Sequence, residues 1–270
     1  MSATSSSSGN LLDEALGTAS GSAAASSTGR RFLLVEDCVE TSGAFVLHHL
    51  LKRALSNSES KEAVIFLALA QAFPHYDRVM RKLGCNLSTQ RDKKKLYFFE
   101  MPKLQCPGET GRNDNEVGFI DLYAKMQRTV EICLSPEYDV DHIKIMVDDI
   151  SLLEIAARGS MDHVLDFLHY CITLTSEMDC SLVILNHEDI YSGTEAPTLR
   201  SYLKYLADII IKTQPLPSGL SADVHGQLTI LNYKCMGEYG HSWSRMQNFH
   251  FKVKENSVDY FYPGRLTGVA

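Results

Sequence analysis

The chain has 270 residues, 44% of them hydrophobic, enough to bury one sizeable α/β core or two small domains at most. Its formal net charge is −7 and its pI about 5.8. That acidity argues against tight nucleic-acid binding by the chain alone, because such affinity comes largely from neutralising phosphates, although a local basic patch stays open.

Residues 1–29 are rich in Ser, Ala, Gly and Thr and cannot bury enough apolar area to offset their ordering entropy, so a mobile tail is expected. One island, NLLDEALG (10–17), puts Leu11, Leu12 and Leu16 on one helical face and allows a short docking helix. A single domain is expected over 30–270. FLLVE (32–36) reads as a strand, Gly43 to about Ser56 as a helix, and AVIFLAL (63–69) as a strand buried on both faces. HYDRVMRKLG (75–84) is a helix with Gly84 as its stop, and KLYFFE (95–100) a strand. Residues 102–115 read as a loop, and Val117 to Leu134 as a helix. IKIMVDD (143–149) is a buried strand ending in two aspartates, Met161–Met178 a long amphipathic helix, and SLVILNH (181–187) the next buried strand. Leu199–Leu206 is a helix and DIIIKT (208–213) a strand.

This alternation predicts a parallel, doubly wound sheet with helices on both faces. After Pro217 the runs 226–234, 249–255 and 258–262 follow without helices and read as antiparallel strands added at the sheet edge. The seven cysteines, at 38, 85, 106, 133, 171, 180 and 235, form no C-x-x-C pair, so reduced thiols packing as small hydrophobes are expected. No apolar stretch approaches the roughly 20 residues of a membrane span. No secretory signal pattern opens the chain, and a soluble intracellular protein is expected.

The segment FLLVEDCVETSGAFVLHHLL (32–51) has the strand–loop–helix setting of a P-loop, G-x-x-x-x-G-K-[ST]. With the second glycine at Gly43, the first falls on Cys38, the lysine on Ala44 and the hydroxyl on Phe45. Three of the four diagnostic residues are therefore absent. Glu36, Asp37 and Glu40 crowd the same loop; like charges about 7 Å apart repel by roughly 2 kcal/mol at an effective dielectric near 20. Conventional nucleotide binding is disfavoured, and an ordinary strand-to-helix turn also fits. Asp148 and Asp149 stand where a Walker B acid would hold magnesium, yet Asp149 could equally cap the helix beginning near Ile150. His187, in LNHED (185–189), falls near the same sheet edge at the place of a γ-phosphate sensor, with a surface-loop role as the default. Asp162, His163, Asp166 and His169 have helical spacings, but His163 and His169 stand about 600° apart around a helix, which favours a solvated face over a metal site. His48 and His49 face two ways for the same reason. RDKKK (91–95) reads as a solvated basic turn that could touch RNA or an acidic partner.

The runs SGAFVLHHLL, ALAQAFPHYDRVMRKLG, VDDISLL, VLDFLHYC and DVHGQLTIL, in this order across most of 31–262, resemble the Elongator complex protein 6 family. The resemblance implies a RecA-like α/β fold without a standard Walker A motif, no cofactor, no metal and no catalytic residue of its own. It implies a heterohexameric ring with Elongator proteins 4 and 5, docked on the catalytic Elongator subcomplex. That machine modifies wobble uridines of tRNA, beginning with a carboxymethyl group at carbon 5, and the ring is associated with tRNA binding and release. A cytoplasmic and nuclear location would follow. A ring needs two different patches per subunit; the helix at 74–84 and the strands beyond 225 are candidates. The competing reading is a divergent ATPase using Asp148 or Asp149 with magnesium at a subunit interface, and a third is an RNA-binding module acting through Lys93–Lys95.

Overall fold

The computed structural model describes residues 10–17, 32–56, 61–100, 114–157, 159–178, 180–191, 198–219, 221–236 and 242–264. The apolar runs become strands β1 (Phe32–Asp37), β2 (Glu62–Ala68), β3 (Leu96–Glu100), β4 (His142–Val147), β5 (Cys180–His187) and β6 (Ile209–Gln214). Three pairings between successive strands follow through β7 (Gly226–Met236), β8 (Ser242–Val253) and β9 (Val258–Phe261). They make one sheet in the order β3-β2-β4-β5-β1-β6-β7-β8-β9. Every pairing from β3 to β6 is parallel, and those from β6 to β9 are antiparallel.

Helices α2 (Ala44–Ser56), α3 (Phe73–Lys82) and α4 (Leu87–Asp92) lie on one face. On the other are α5 (Asp114–Cys133), α6 (Ser151–Ala156), α7 (Met161–Glu177) and α8 (Leu199–Leu206). Helix α2 buries Val46, Leu47, Leu50, Leu51, Ala54 and Leu55, the three-to-four spacing of one helical face. Helix α3 carries Pro74 in its first turn, and just past its C-cap Leu83 comes Gly84, whose φ of 87° favours a residue without a Cβ. Strand side chains alternate between the layers: Phe32 and Leu34 join the α7 side, Val35 the α2 side.

Several boundaries move. Helix α4 was not foreseen; it turns the expected basic turn into a helix end, with Asn86 capping Thr89 N–H at 3.0 Å. Strand β4 stops at Val147, so both aspartates lie beyond it. Helix α5 begins at Asp114, so residues 114 and 115 of the loop expected at 102–115 are helical; residues 102–113 lie outside the described residues, as do 1–9 and 18–29 of the expected tail. The island at 10–17 does form a helix, α1 (Leu11–Ala15), with Leu12 and Leu16 buried. Cys85, Cys133, Cys171 and Cys180 are buried and pack as small apolar side chains. No helix among the described residues is long and apolar enough to cross a membrane.

Candidate functional site

Parallel strands all end at one edge, and the ends of β1, β4 and β5 meet there. The β1–β5 register sets Asp37 beside His187. From Asp37 the chain turns through Cys38–Gly43 into α2, the place where a P-loop would hold phosphates on free backbone N–H groups.

Here those groups are used by the chain itself. Gly43 N–H donates to Asp37 Oδ2 at 2.7 Å and Val39 N–H to Asp189 Oδ2 at 3.0 Å. Thr41 N–H donates to the Cys38 carbonyl at 3.0 Å and Ala44 N–H to Ser42 Oγ at 3.2 Å. The Thr213 hydroxyl donates to the Thr41 carbonyl at 3.0 Å and ties the turn to β6. A Cβ on Gly43 would meet Val35 Cγ1 at 3.0 Å, Asp37 Cβ at 3.2 Å and Thr213 Oγ1 at 3.3 Å, so the glycine is kept for packing. Phe45, at the hydroxyl position, lies with its ring centroid 4.6 Å from that of Phe251 and 6.4 Å from that of Tyr260. Cys38, at the first-glycine position, is half-buried; burial and then the Glu40 carboxylate push its thiol pKa up.

The two aspartates after β4 diverge. Asp148 accepts from Leu69 N–H (2.7 Å), Ala70 N–H (3.0 Å) and the Tyr76 hydroxyl (2.6 Å), so it braces the β2–α3 turn. Burial raises its pKa, while these donors act in the opposite direction. Asp149 accepts from both Ser151 N–H (3.0 Å) and Ser151 Oγ (2.6 Å) at the start of α6, one residue before the N-cap position, which Ile150 holds without a side-chain cap bond. Its other oxygen faces His187 Nε2 at 3.3 Å.

His187 is therefore a clasp, which corrects the surface-loop expectation. Its Nδ1 bonds Asp37 Oδ1 while Nε2 faces Asp149. With a carboxylate at each nitrogen, the ring is an imidazolium donating twice. The bonds to Asp149 and then Asp37 push its pKa up to about 10. The expected repulsion among Glu36, Asp37 and Glu40 is also corrected. Glu36 and Asp37 belong to a strand and leave opposite faces of the sheet, and Glu40 is exposed. Glu36, with 0% exposure, meets Arg200 Nε at 2.8 Å, Lys204 Nζ at 3.5 Å and Lys212 Nζ at 3.6 Å. Arg200 also bonds Glu188, and Lys212 reaches it at 3.0 Å. These three cations were missed. The legible signals were Arg200 and Lys204 four apart on a helix, and a lysine closing the buried run IIIK.

The other candidates stay apart. Asp162, Asp166 and His169 are exposed on α7, and no group of three His, Cys, Asp or Glu residues suited to a metal occurs among the described residues. His48 stacks edge-on against Tyr76 while His49 turns to Asp13, two directions as expected. In 91–95, Arg91 lies over the Phe73 ring at 4.7 Å and Lys94 Nζ bonds the Tyr138 hydroxyl at 3.0 Å.

A mostly parallel sheet between helix layers, an antiparallel extension, and a strand-to-helix turn at its carboxyl edge define a RecA-like protein. A KaiC-like protein from the hyperthermophilic archaeon Pyrococcus horikoshii superposes with a TM-score of 0.56 at 11% identity, covering 86% of this chain and 89% of that one. The profile of the family described as Elongation complex protein 6 matches residues 12–255, and the chain belongs to that family. Elongator complex protein 6 of Homo sapiens is 30% identical over 245 residues, covering 85% of this chain and 90% of the relative. The Mus musculus protein of that name is 29% identical over 247 residues, with the same coverage. The Dictyostelium discoideum one is 23% identical over 312 residues, covering 87% and 90%.

Proposed function

We propose that this chain is a non-catalytic subunit of the Elongator complex. In this reading it forms a heterohexameric ring with Elongator proteins 4 and 5, which docks on the catalytic subcomplex. The ring supports modification of the tRNA wobble uridine (U34) at carbon 5 by binding and releasing tRNA, in cytoplasm and nucleus.

The observation that carries the non-catalytic part is the closed turn: Val39, Thr41, Gly43 and Ala44 spend their N–H groups on oxygens of the same chain. Position 44 also offers no ammonium to a phosphate. Asp148 is buried and accepts from Leu69, Ala70 and Tyr76, and Asp149 is committed to Ser151 and His187. Assembly is supported by exposed apolar side chains near one end of the sheet: Tyr205 (88% exposed) on α8, Tyr233 on β7 and Met246 on β8. Those strands fall among the candidate flanks beyond 225.

The test is light scattering on a sizing column, with this chain alone and mixed with Elongator proteins 4 and 5. One species with the mass of a two-plus-two-plus-two ring is expected, and the isolated chain should take up no ATP with magnesium. A chain that stays alone at every mixing ratio overturns the assembly reading. Saturable ATP binding by the isolated chain overturns the non-catalytic one and restores the divergent ATPase.

A further inference from the structure

Helix α1 is five residues long, too short to hold helical form without a surface to lie on. Its surface is α2 and β9. Leu12 and Leu16 sink into the core layer there, with 0% and 4% exposure. Asp13 meets His49 Nε2 at 3.0 Å and Arg53 Nη1 at 3.4 Å. In sequence, fourteen residues (18–31) separate this segment from β1, so its attachment is a tether as well as a dock. An acidic, leucine-bearing segment is thus already seated on this face.

The seat is longer than the segment. A groove of about 480 Å³ continues from Asn10, His49 and Arg53 between α2, α3 and the β8–β9 hairpin. Phe45, Val79 and Val258 give it apolar walls, and Lys52 and Lys82 stand along it. Lys82 has one carboxylate, Glu255, at 3.5 Å, and no carboxylate pairs with Lys52 among the described residues. The hydroxyl of Tyr260 is buried in the same wall with no hydrogen-bond partner among them. An ammonium without a carboxylate, beside a dock that already takes Asp13, calls for more acidic groups along the groove.

We propose that this face is a docking site for an acidic, leucine-bearing segment of a partner protein, and that α1 is its exchangeable occupant in cis. A longer segment of that chemistry covers the α1 seat and the open groove together, giving Lys52 the carboxylate that α1 does not reach. The tether raises the local concentration of α1, so the partner segment must compete with it.

The probe is a dye-labelled peptide with the sequence of residues 10–17, NLLDEALG, titrated by fluorescence polarisation into the full chain and into its Leu12→Ser/Leu16→Ser variant. The variant, with its own arm released, should bind the peptide about tenfold more tightly than the natural chain. Adding Arg53→Glu should weaken that binding roughly fivefold or more. Hydrogen exchange on the natural chain covers the case of a variant that does not fold: excess peptide should strip protection from the amides of residues 12–16. Equal binding to both chains, or no binding together with unchanged exchange, overturns the proposal. So does saturation of the same cations by a single-stranded RNA oligonucleotide with steep salt dependence, which would make the groove a phosphate-binding surface.

Discussion

His187 offers the sharpest test of the site. Its raised pKa means that the folded chain holds the imidazolium proton more tightly than the unfolded chain does. The corresponding stability is fully present below the ordinary histidine pKa of 6.5 and is lost as pH rises towards about 10. Each tenfold change in proton affinity is worth about 1.4 kcal/mol. The side chain is 35% exposed, so solvent screens both ion pairs and only part of the full linkage is expected. A contribution of about 1–3 kcal/mol is reasonable for a half-buried cation between two buried carboxylates. The assay is urea unfolding of the natural chain and of His187→Gln at a series of pH values from neutral to alkaline. Glutamine keeps a donor for one carboxylate and cannot titrate. The natural chain should be more stable by about 1–3 kcal/mol near neutrality, and the gap should close as pH rises. Cysteine and tyrosine titrations are common to both proteins and cancel in the difference. A gap that stays constant with pH would refute the imidazolium clasp and reduce His187 to a packing residue.

Gly43→Ala should cost about 1–3 kcal/mol in thermal or urea unfolding, because its methyl meets a strand side chain, the Asp37 Cβ and the Thr213 hydroxyl within 3.3 Å. Restoring the P-loop letters with Ala44→Lys and Phe45→Thr should not create ATP binding by calorimetry, since the turn's N–H groups stay committed. The same change should destabilise the chain by about 2–4 kcal/mol through loss of the Phe45 contacts with Phe251 and Tyr260. Arg200→Ala should lose about 2–4 kcal/mol in urea unfolding, because Glu36 keeps only the two longer lysine contacts.

The fold was legible where burial dictates composition. The cores of β2 (Ala63–Ala68) and β5 (Leu182–Leu185) are buried on both faces and therefore read as apolar runs, and β4 does so apart from Lys144. The antiparallel strands showed themselves by following one another without helices. Helix α4 was hidden because it buries only Leu87 and shows no apolar period. In the site, the sequence exposed the missing lysine and hydroxyl, the acids after β4 and the placing of His187 at the sheet edge. It could not expose the clasp. Asp37 and His187 are 150 residues apart, and only the parallel register of β1 on β5 makes them neighbours. The repulsion expected around Glu36 was wrong for a related reason. A strand sends adjacent acids to opposite faces, where separate cations from α8, β6 and β5 receive them.

The same arrangement explains how the frame of a phosphate site outlasts its chemistry. A P-loop is a turn whose N–H groups point at an anion, with a cation close by. Here the anion is Asp37, covalently part of the turn and bonded to Gly43 N–H. The cation is His187, fixed at the end of the adjacent strand and shared with Asp149. Both charges are supplied by the chain, so the turn is complete in the absence of nucleotide. Gly43 survives because its neighbours leave no room for a Cβ. Position 44 carries alanine, with no ammonium to offer a phosphate, and Phe45 turns its ring into the hydrophobic layer. Replacing the lysine alone cannot reverse such a change: an incoming phosphate would have to expel a buried carboxylate that already holds both a donor and an imidazolium. A turn held by bonds to its own chain needs no bound anion to keep its shape, which suits a subunit whose proposed work is to present fixed flanks to its neighbours.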